Sequence, residues 1–146
     1  MKAIIKILLF VLVVVLLCQC EKDPEPEPEV NIPDDNFLNA LIYRGVDTNG
    51  DGVISPAEAE AITSLNVSGR LISDMTGIEM FVNLETLLCY DNQLTSLDVS
   101  NNTALIYLNC ESNHLTSLVV SNCTNLHYLR CVYNSLFSLD VSNNTA

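Results

Sequence analysis

Three successive stretches of the chain, LETLLCYDNQLTSLDVSNNTA (84–104), LIYLNCESNHLTSLVVSNCTN (105–125) and LHYLRCVYNSLFSLDVSNNTA (126–146), align without a gap at 21 residues. Apolar columns run through Leu84/Leu105/Leu126, Leu87/Leu108/Leu129, Cys89/Cys110/Cys131, Leu94/Leu115/Leu136, Leu97/Leu118/Leu139 and Val99/Val120/Val141, with Asn92/Asn113/Asn134 between them. A sequence that repeats itself this closely adopts one local shape repeatedly. One such turn cannot bury enough apolar surface to offset its ordering entropy, so it must stack on its neighbours, and both ends of the stack need covers.

The spacing L-x-x-L-x-(L/C)-x-x-N-x-L resembles the leucine-rich-repeat signature. The outer residues of each L-x-L should point inward from a short strand, with successive strands parallel at about 4.8 Å. The asparagine should sit where the chain leaves the strand and use its buried amide to satisfy backbone groups outside the ladder. Upstream, ITSLNVSGRLISDMTGIEMFVN (62–83) fits the pattern loosely over 22 residues, with Arg70 in place of the asparagine. It is similar to the internalin-like form of the repeat and is expected to form a first, more open turn. The final repeat closes at Ala146 without cap-like sequence after it, the pattern expected of a truncated protein or a fragment of a longer array.

The first thirty or so residues are of a different kind. Lys2 and Lys6 precede an apolar run from Ile7 to Leu17, which ends in LLCQC before EKDPEPEPEV. The run is shorter than the ~20 apolar residues of a bilayer-spanning helix and has the shape of a secretory signal. Its end resembles a bacterial lipoprotein signal, which implies lipidation at Cys20, with Cys18 as the alternative; Gln19 stands where that pattern has a small residue. Residues 1–20 would then be signal and lipidation site. Residues 21–33 would form an acidic Pro/Glu tether, whose thirteen residues reach roughly 40 Å if extended at ~3.1 Å each.

The formal net charge of −12 makes the chain a poor nucleic-acid binder, since affinity for phosphate backbones comes mainly from Lys and Arg. It also opposes binding to anionic headgroups, so any membrane attachment is expected through acyl chains alone.

Residues 34–62 contain DTNGDGVISPAE (47–58), which reads as a calcium loop. Asp47, Asn49 and Asp51 would offer side-chain oxygens, Val53 its carbonyl, Ser55 a hydroxyl or bridged water, and Glu58 a bidentate carboxylate, with Gly52 at the sharp turn. Before it, PDDNFLNALIYRGV has an N-cap candidate at Asp34 or Asp35 and a helical apolar face of Phe37, Leu38, Leu41 and Ile42. The alternative is that SPAE is a helix start, with Ser55 as N-cap, Pro56 first and Glu58 as capping-box partner. That alternative leaves Asp47 and Asn49 unexplained. No second loop of this kind occurs in the sequence, so Ile54, at loop position 8, is expected to pack on the first repeat, and calcium to fix an N-terminal cap.

The expected fold is therefore α+β, a leucine-rich-repeat solenoid of about four turns over 62–146 behind an EF-hand-like helix–loop–helix cap. A calcium loop leading directly into repeats phrased NQLTSLDVSNNTAL resembles bacterial surface lipoproteins. The resemblance implies an exported protein, lipid-anchored to the outer membrane or cell surface, that acts as a non-enzymatic binding or adhesion module. If the L-x-L residues face inward, Tyr90, Tyr107, Asn109, Glu111, Tyr128, Arg130 and Tyr133 lie on or beside the opposite, concave face. Tyrosine suits a binding surface for protein or glycan, although strand propensity also favours it. The competing expectation is a structural repeat fragment with no ligand of its own.

Cys123, His127 and Cys131 have a spacing that invites zinc, but the repeat register places Cys131 in the core and Cys123 in a connecting loop. Buried thiols also make poor nucleophiles. The Cys89/Cys110/Cys131 column is expected to hold free thiols, because parallel neighbours set Cβ atoms near the strand spacing rather than the ~3.8 Å of a relaxed disulfide.

Overall fold

The computed structural model describes residues 28–146, so the expected signal, the expected lipidation site at Cys20 or Cys18 and most of the expected tether lie outside the described residues. Two helices come first, α1 (Asp35–Tyr43) and α2 (Pro56–Glu60). Six three-residue strands follow: β1 (Ser64–Asn66), β2 (Thr86–Leu88), β3 (Ser96–Asp98), β4 (Tyr107–Asn109), β5 (Ser117–Val119) and β6 (Tyr128–Arg130). A 3₁₀ turn spans Ile78–Met80.

The strands stack as the repeat requires. One parallel sheet has the order β1-β2-β4-β6, and β3 and β5 pair in a second sheet. Thr86 faces Tyr107 and Tyr107 faces Tyr128, whereas Ser64 faces Thr86, which reproduces the 21-residue period and the longer first turn. Leu87, Cys89, Leu94, Leu108, Cys110 and Leu115 are fully buried, while Leu129, Cys131 and Leu136 of the last turn are partly buried and Phe137 is 96% exposed.

Asparagine amides join each turn to the one before. Asn113 Oδ1 accepts from Leu94 N at 3.0 Å, and its Nδ2 donates to Cys89 O and Cys110 O at 3.0 and 3.1 Å. Asn134 repeats this arrangement with Leu115 N, Cys110 O and Cys131 O. Asn92 does the same for the first turn, accepting from Arg70 N and Ile72 N and donating to Val67 O and Cys89 O. Arg70 therefore costs the first turn little, because the amide that closes it comes from the next turn.

A second ladder, not evident from the repeat pattern, runs along the other side. Asn102 Nδ2 donates to Ile78 O and Phe81 O, and Asn144 Nδ2 to Val120 O and Cys123 O. Between them Cys123 fills the equivalent place, fully buried, with its Sγ 3.2 Å from Val99 O.

The expected openness of the first turn is not observed, because the helical cap covers it. Asp34 is the N-cap of α1, accepting from Phe37 N through Oδ1; its Oδ2 accepts from Ser73 N, Ser73 Oγ and Asp74 N. Asn36 Nδ2 donates to Leu71 O, and Asn83 Nδ2 to Glu60 O. Cap and repeats share one apolar core that includes Phe37, Leu41, Ile54, Leu65, Ile72 and Phe81. Helix α2 starts with Ser55 as N-cap, Pro56 in the first turn and a complete capping box to Glu58.

The boundary at residue 33 needs correcting, since the end of the expected tether belongs to the folded cap. Val30 is 7% exposed and its N–H donates to Ile54 O at 2.7 Å. Val30 and Ile32 are apolar positions in an otherwise polar stretch, and both pack against the core.

Two predictions follow from these contacts. Asn113→Ala strips a buried acceptor and two donors at once, so urea unfolding should show a loss of about 3 kcal/mol or more; a loss below about 1 kcal/mol would contradict the ladder's role. The second concerns acid. Burial raises the pKa of Asp34, but the hydrogen bonds from Ser73, Phe37 and Asp74 outweigh it and leave the carboxyl below its ordinary value. Glu58 is held down to about 2 by the backbone N–H groups of Ser55 and Thr48 and by the Thr48 and Ser55 hydroxyls. Both groups contribute stability above their unfolded pKa values and lose it as pH falls toward the folded ones. Unfolding midpoints should therefore drop between pH 4.5 and about 2, and less so in an Asp34→Asn/Glu58→Gln double variant.

Candidate functional site

Two regions carry the candidate site residues. The first is the twelve-residue loop between α1 and α2. Gly50 and Gly52 take left-handed φ values of 79° and 86°, which glycine adopts without strain. Asp47 Oδ1 accepts from Gly50 N at 2.6 Å and its Oδ2 from Gly52 N at 3.0 Å; Asn49 Oδ1 accepts from Asp51 N, and Asp51 Oδ1 from Val53 N. These bonds wind the loop so that alternate side chains close on the backbone two to five residues ahead.

Glu58 ties the two ends of the loop together. It is 8% exposed, its Oε1 accepting from Thr48 N and Thr48 Oγ1 at 2.7 and 2.8 Å and its Oε2 from Ser55 N and Ser55 Oγ at 3.0 and 2.9 Å. Asp47, Asn49, Asp51, the Val53 carbonyl, Ser55 and Glu58 are all oxygen donors, so their chemistry fits a hard cation such as calcium. Among the described residues no three His, Cys, Asp or Glu side chains gather into a metal-holding group. The Thr48 and Ser55 donors and a cation would draw on the same Glu58 lone pairs.

The second region is the concave face of the larger sheet. In-register pairing sets Tyr107 beside Tyr128 and Asn109 beside Arg130. The two tyrosine rings lie 5.8 Å apart between centroids at 36°, within the range of favourable aromatic pairs. Arg130 Nη2 reaches Glu111 Oε2 at 3.0 Å, an exposed ion pair of small energetic weight that fixes the guanidinium on the face. Asn109 Oδ1 accepts from Glu111 N. Tyr90, Tyr128 and Tyr133 are 39%, 63% and 78% exposed.

Tyr133 projects because of its backbone. It has φ 55°, in one column with Ser112 at 55°, Asp91 at 58° and Gly69 at 65°, where each turn leaves its strand. Left-handed backbone is unfavourable for a bulky side chain, and Tyr133 adopts it with its ring in solvent. Residue types alone do not signal this conformation, because only the first turn has a glycine at that position. The structure thus brings Tyr107 beside Tyr128, and Asn109 and Glu111 beside Arg130, while Tyr90 and Tyr133 are exposed just beyond their strands.

The cysteines lie elsewhere. Cys89 and Cys110 are fully buried beneath the face, with Cys131 partly buried, and all are free thiols, as is Cys123. Burial, reinforced by neighbouring column thiols, raises the Cys89 pKa well above its ordinary value and pushes Cys110 up to about 12. Burial and the charge of Asp98 raise Cys123 to about 11. None of the three is a thiolate at neutral pH. His127 turns Nδ1 toward Asn125 O, at the solvent surface.

No family model matches the chain. A 71-residue stretch, 49% of the chain, is 43% identical to internalin J of Listeria monocytogenes serotype 4b, of which it spans 8%. Among solved structures, the functional domain of the Listeria monocytogenes protein InlJ, described as including a cysteine ladder, superimposes with a TM-score of 0.70 at 44% identity. That match covers 77% of this chain and 25% of the other. An internalin of the same species, InlF, matches with a TM-score of 0.63 at 30% identity, covering 84% of this chain and 36% of the other. The chain thus spans a minor part of the length of each of these proteins. In sequence and in fold, its parallel-strand solenoid is similar to these Listeria internalins.

Proposed function

We propose that this chain is a non-enzymatic recognition module of the bacterial cell surface that binds a protein partner through its concave face. The observation that carries this reading is the pairing of Tyr107 with Tyr128 and of Asn109 with Arg130 across an internalin-like sheet, and the exposure of Tyr90 and Tyr133 beyond the strands supports it. Tyrosine and arginine supply contact area, hydrogen bonding and planar recognition at small entropic cost. A face that presents three markedly exposed rings above a stacked sheet suits a broad, shallow contact better than an enclosed small molecule.

The chemistry of the remaining groups supports binding rather than turnover. Burial raises the Cys89 and Cys110 pKa values, and His127 turns its Nδ1 to the Asn125 carbonyl at the solvent surface. In this reading the protein is exported and held by lipid at Cys20, or alternatively Cys18, with the acidic Pro/Glu segment as spacer.

The reading includes calcium at the N-terminal cap. Asp47, Asn49, Asp51, the Val53 carbonyl, Ser55 and Glu58 would hold the ion, which supplies positive charge to a loop rich in carboxylates and so stabilises its closed form. The site is proposed as a weak one, in the ~10⁻⁴–10⁻³ M class of extracellular modules, with a structural role.

Binding is tested by presenting the domain in calcium-containing buffer to candidate cell surfaces. A Tyr90→Ala/Tyr128→Ala/Tyr133→Ala variant should bind at least tenfold more weakly while keeping the parent's circular dichroism and melting temperature. Unchanged binding would remove the concave face from the mechanism. Protease treatment of the target surface should abolish binding, and loss after periodate treatment alone would point to a glycan instead. The calcium proposal is checked by thermal unfolding in calcium against chelator. The midpoint should rise with calcium in the parent and not in Asp47→Ala, and equal midpoints in the parent would refute it.

A further inference from the structure

Calcium loops of this type commonly occur in pairs that support each other through the residue at position 8, and no second loop occurs in this sequence. Position 8 is Ile54, whose side chain is fully buried and whose carbonyl accepts from Val30 N at 2.7 Å. The backbone partner of Ile54 is thus the chain's own N-terminal segment rather than the first repeat.

On its other side the segment is pressed against the first turn of the solenoid. Gly77 has φ 102°, and a Cβ built there would lie 2.8 Å from Ile32 Cγ1, 2.9 Å from Asn31 O and 3.1 Å from Val30 Cγ1. The closest backbone atom belongs to the segment itself, so a side chain at Gly77 would both press on the segment and strain a left-handed φ. Glycine at this position therefore permits residues 30–32 to lie between loop and repeat. The next residue after Ile54 is Ser55, whose N–H and hydroxyl donate to Glu58. The bond to Val30 therefore acts directly on the leg of the loop that sets Glu58.

We infer that Val30–Ile32 is a positioning strap that takes the place of a second calcium loop: it braces the Ile54 leg against the first repeat, and closure of the loop depends on it. Its cation-dependent part rests on the calcium reading above; its effect on loop closure does not. Without the strap the Ile54 carbonyl loses its partner and the leg carrying Ser55 is free to move, so the Glu58 bonds to Thr48 and Ser55 open more often.

The test uses the full chain and two independent lesions. Val30→Pro removes the donated N–H, and Gly77→Ala displaces the strap through contact with Asn31 O; Val30→Ile, which keeps the N–H and the apolar side chain, is the control. Amide hydrogen exchange in chelator should show Thr48 and Ser55, whose amides donate to Glu58, exchanging at least tenfold faster in Val30→Pro than in the parent or Val30→Ile, with amides of β2 and β4 unchanged. Equal loop exchange in Val30→Pro and the parent would overturn the inference, whatever calcium does. Where the parent's melting temperature rises with calcium, the rise should be lost in Val30→Pro and Gly77→Ala and kept in Val30→Ile. A rise of the same size in Val30→Pro, at matching calcium concentrations, would also overturn it. A parent that ignores calcium sinks the metal proposal alone and leaves the exchange measurement to decide the strap.

Discussion

The structure depends on an amide held between two turns. A three-residue strand makes too few ladder bonds to define a sheet, and the chain leaves each strand through a turn whose backbone groups would otherwise be buried without partners. Asn92, Asn113 and Asn134 solve both problems, since each accepts from one turn and donates to carbonyls of two. The bonds cross between turns, so no turn is complete without its successor. This is why the stack is stabilised chiefly by its neighbour contacts, and why Arg70 is tolerated where the partner amide comes from Asn92.

The same requirement explains the cap. A first turn has nothing before it, and its apolar residues and loop amides need cover from another source. Asp34 provides part of it, joining the start of α1 to Ser73 and Asp74 with one carboxylate. The rest comes from the core shared by Phe37, Leu41 and Ile54 with Leu65 and Ile72, and from residues 30–32 lying over Gly77. The helical cap and the solenoid consequently share one apolar core, and the larger sheet is built on it.

Much of this was legible in the sequence because the repeat is a physical constraint as well as a pattern. The inward columns, the parallel register and the asparagine ladder follow from residue spacing, and so does the placement of Tyr107 beside Tyr128. Three features were hidden. The second ladder through Asn102 and Asn144 was obscured because its middle member is Cys123, which a residue-type pattern does not group with asparagine. Tyr133 lies in a left-handed conformation that nothing in its side chain signals, since the stacking geometry imposes it. The docking of Val30 could not be read because a single valine in a Pro/Glu stretch carries no periodicity; it is recognised only with Ile54 and Gly77 in space.

The cysteine column has a further consequence. Cys131, Cys110 and Cys89 sit at equal intervals along the solenoid, Cys131 partly buried and the other two sealed, and a sealed thiol is shielded from reagents only while its turn stays closed. Their alkylation rates are thus a built-in clock of opening. The order in which the three thiols become modified reads out the direction in which the stack frays, without any residue being substituted to report it.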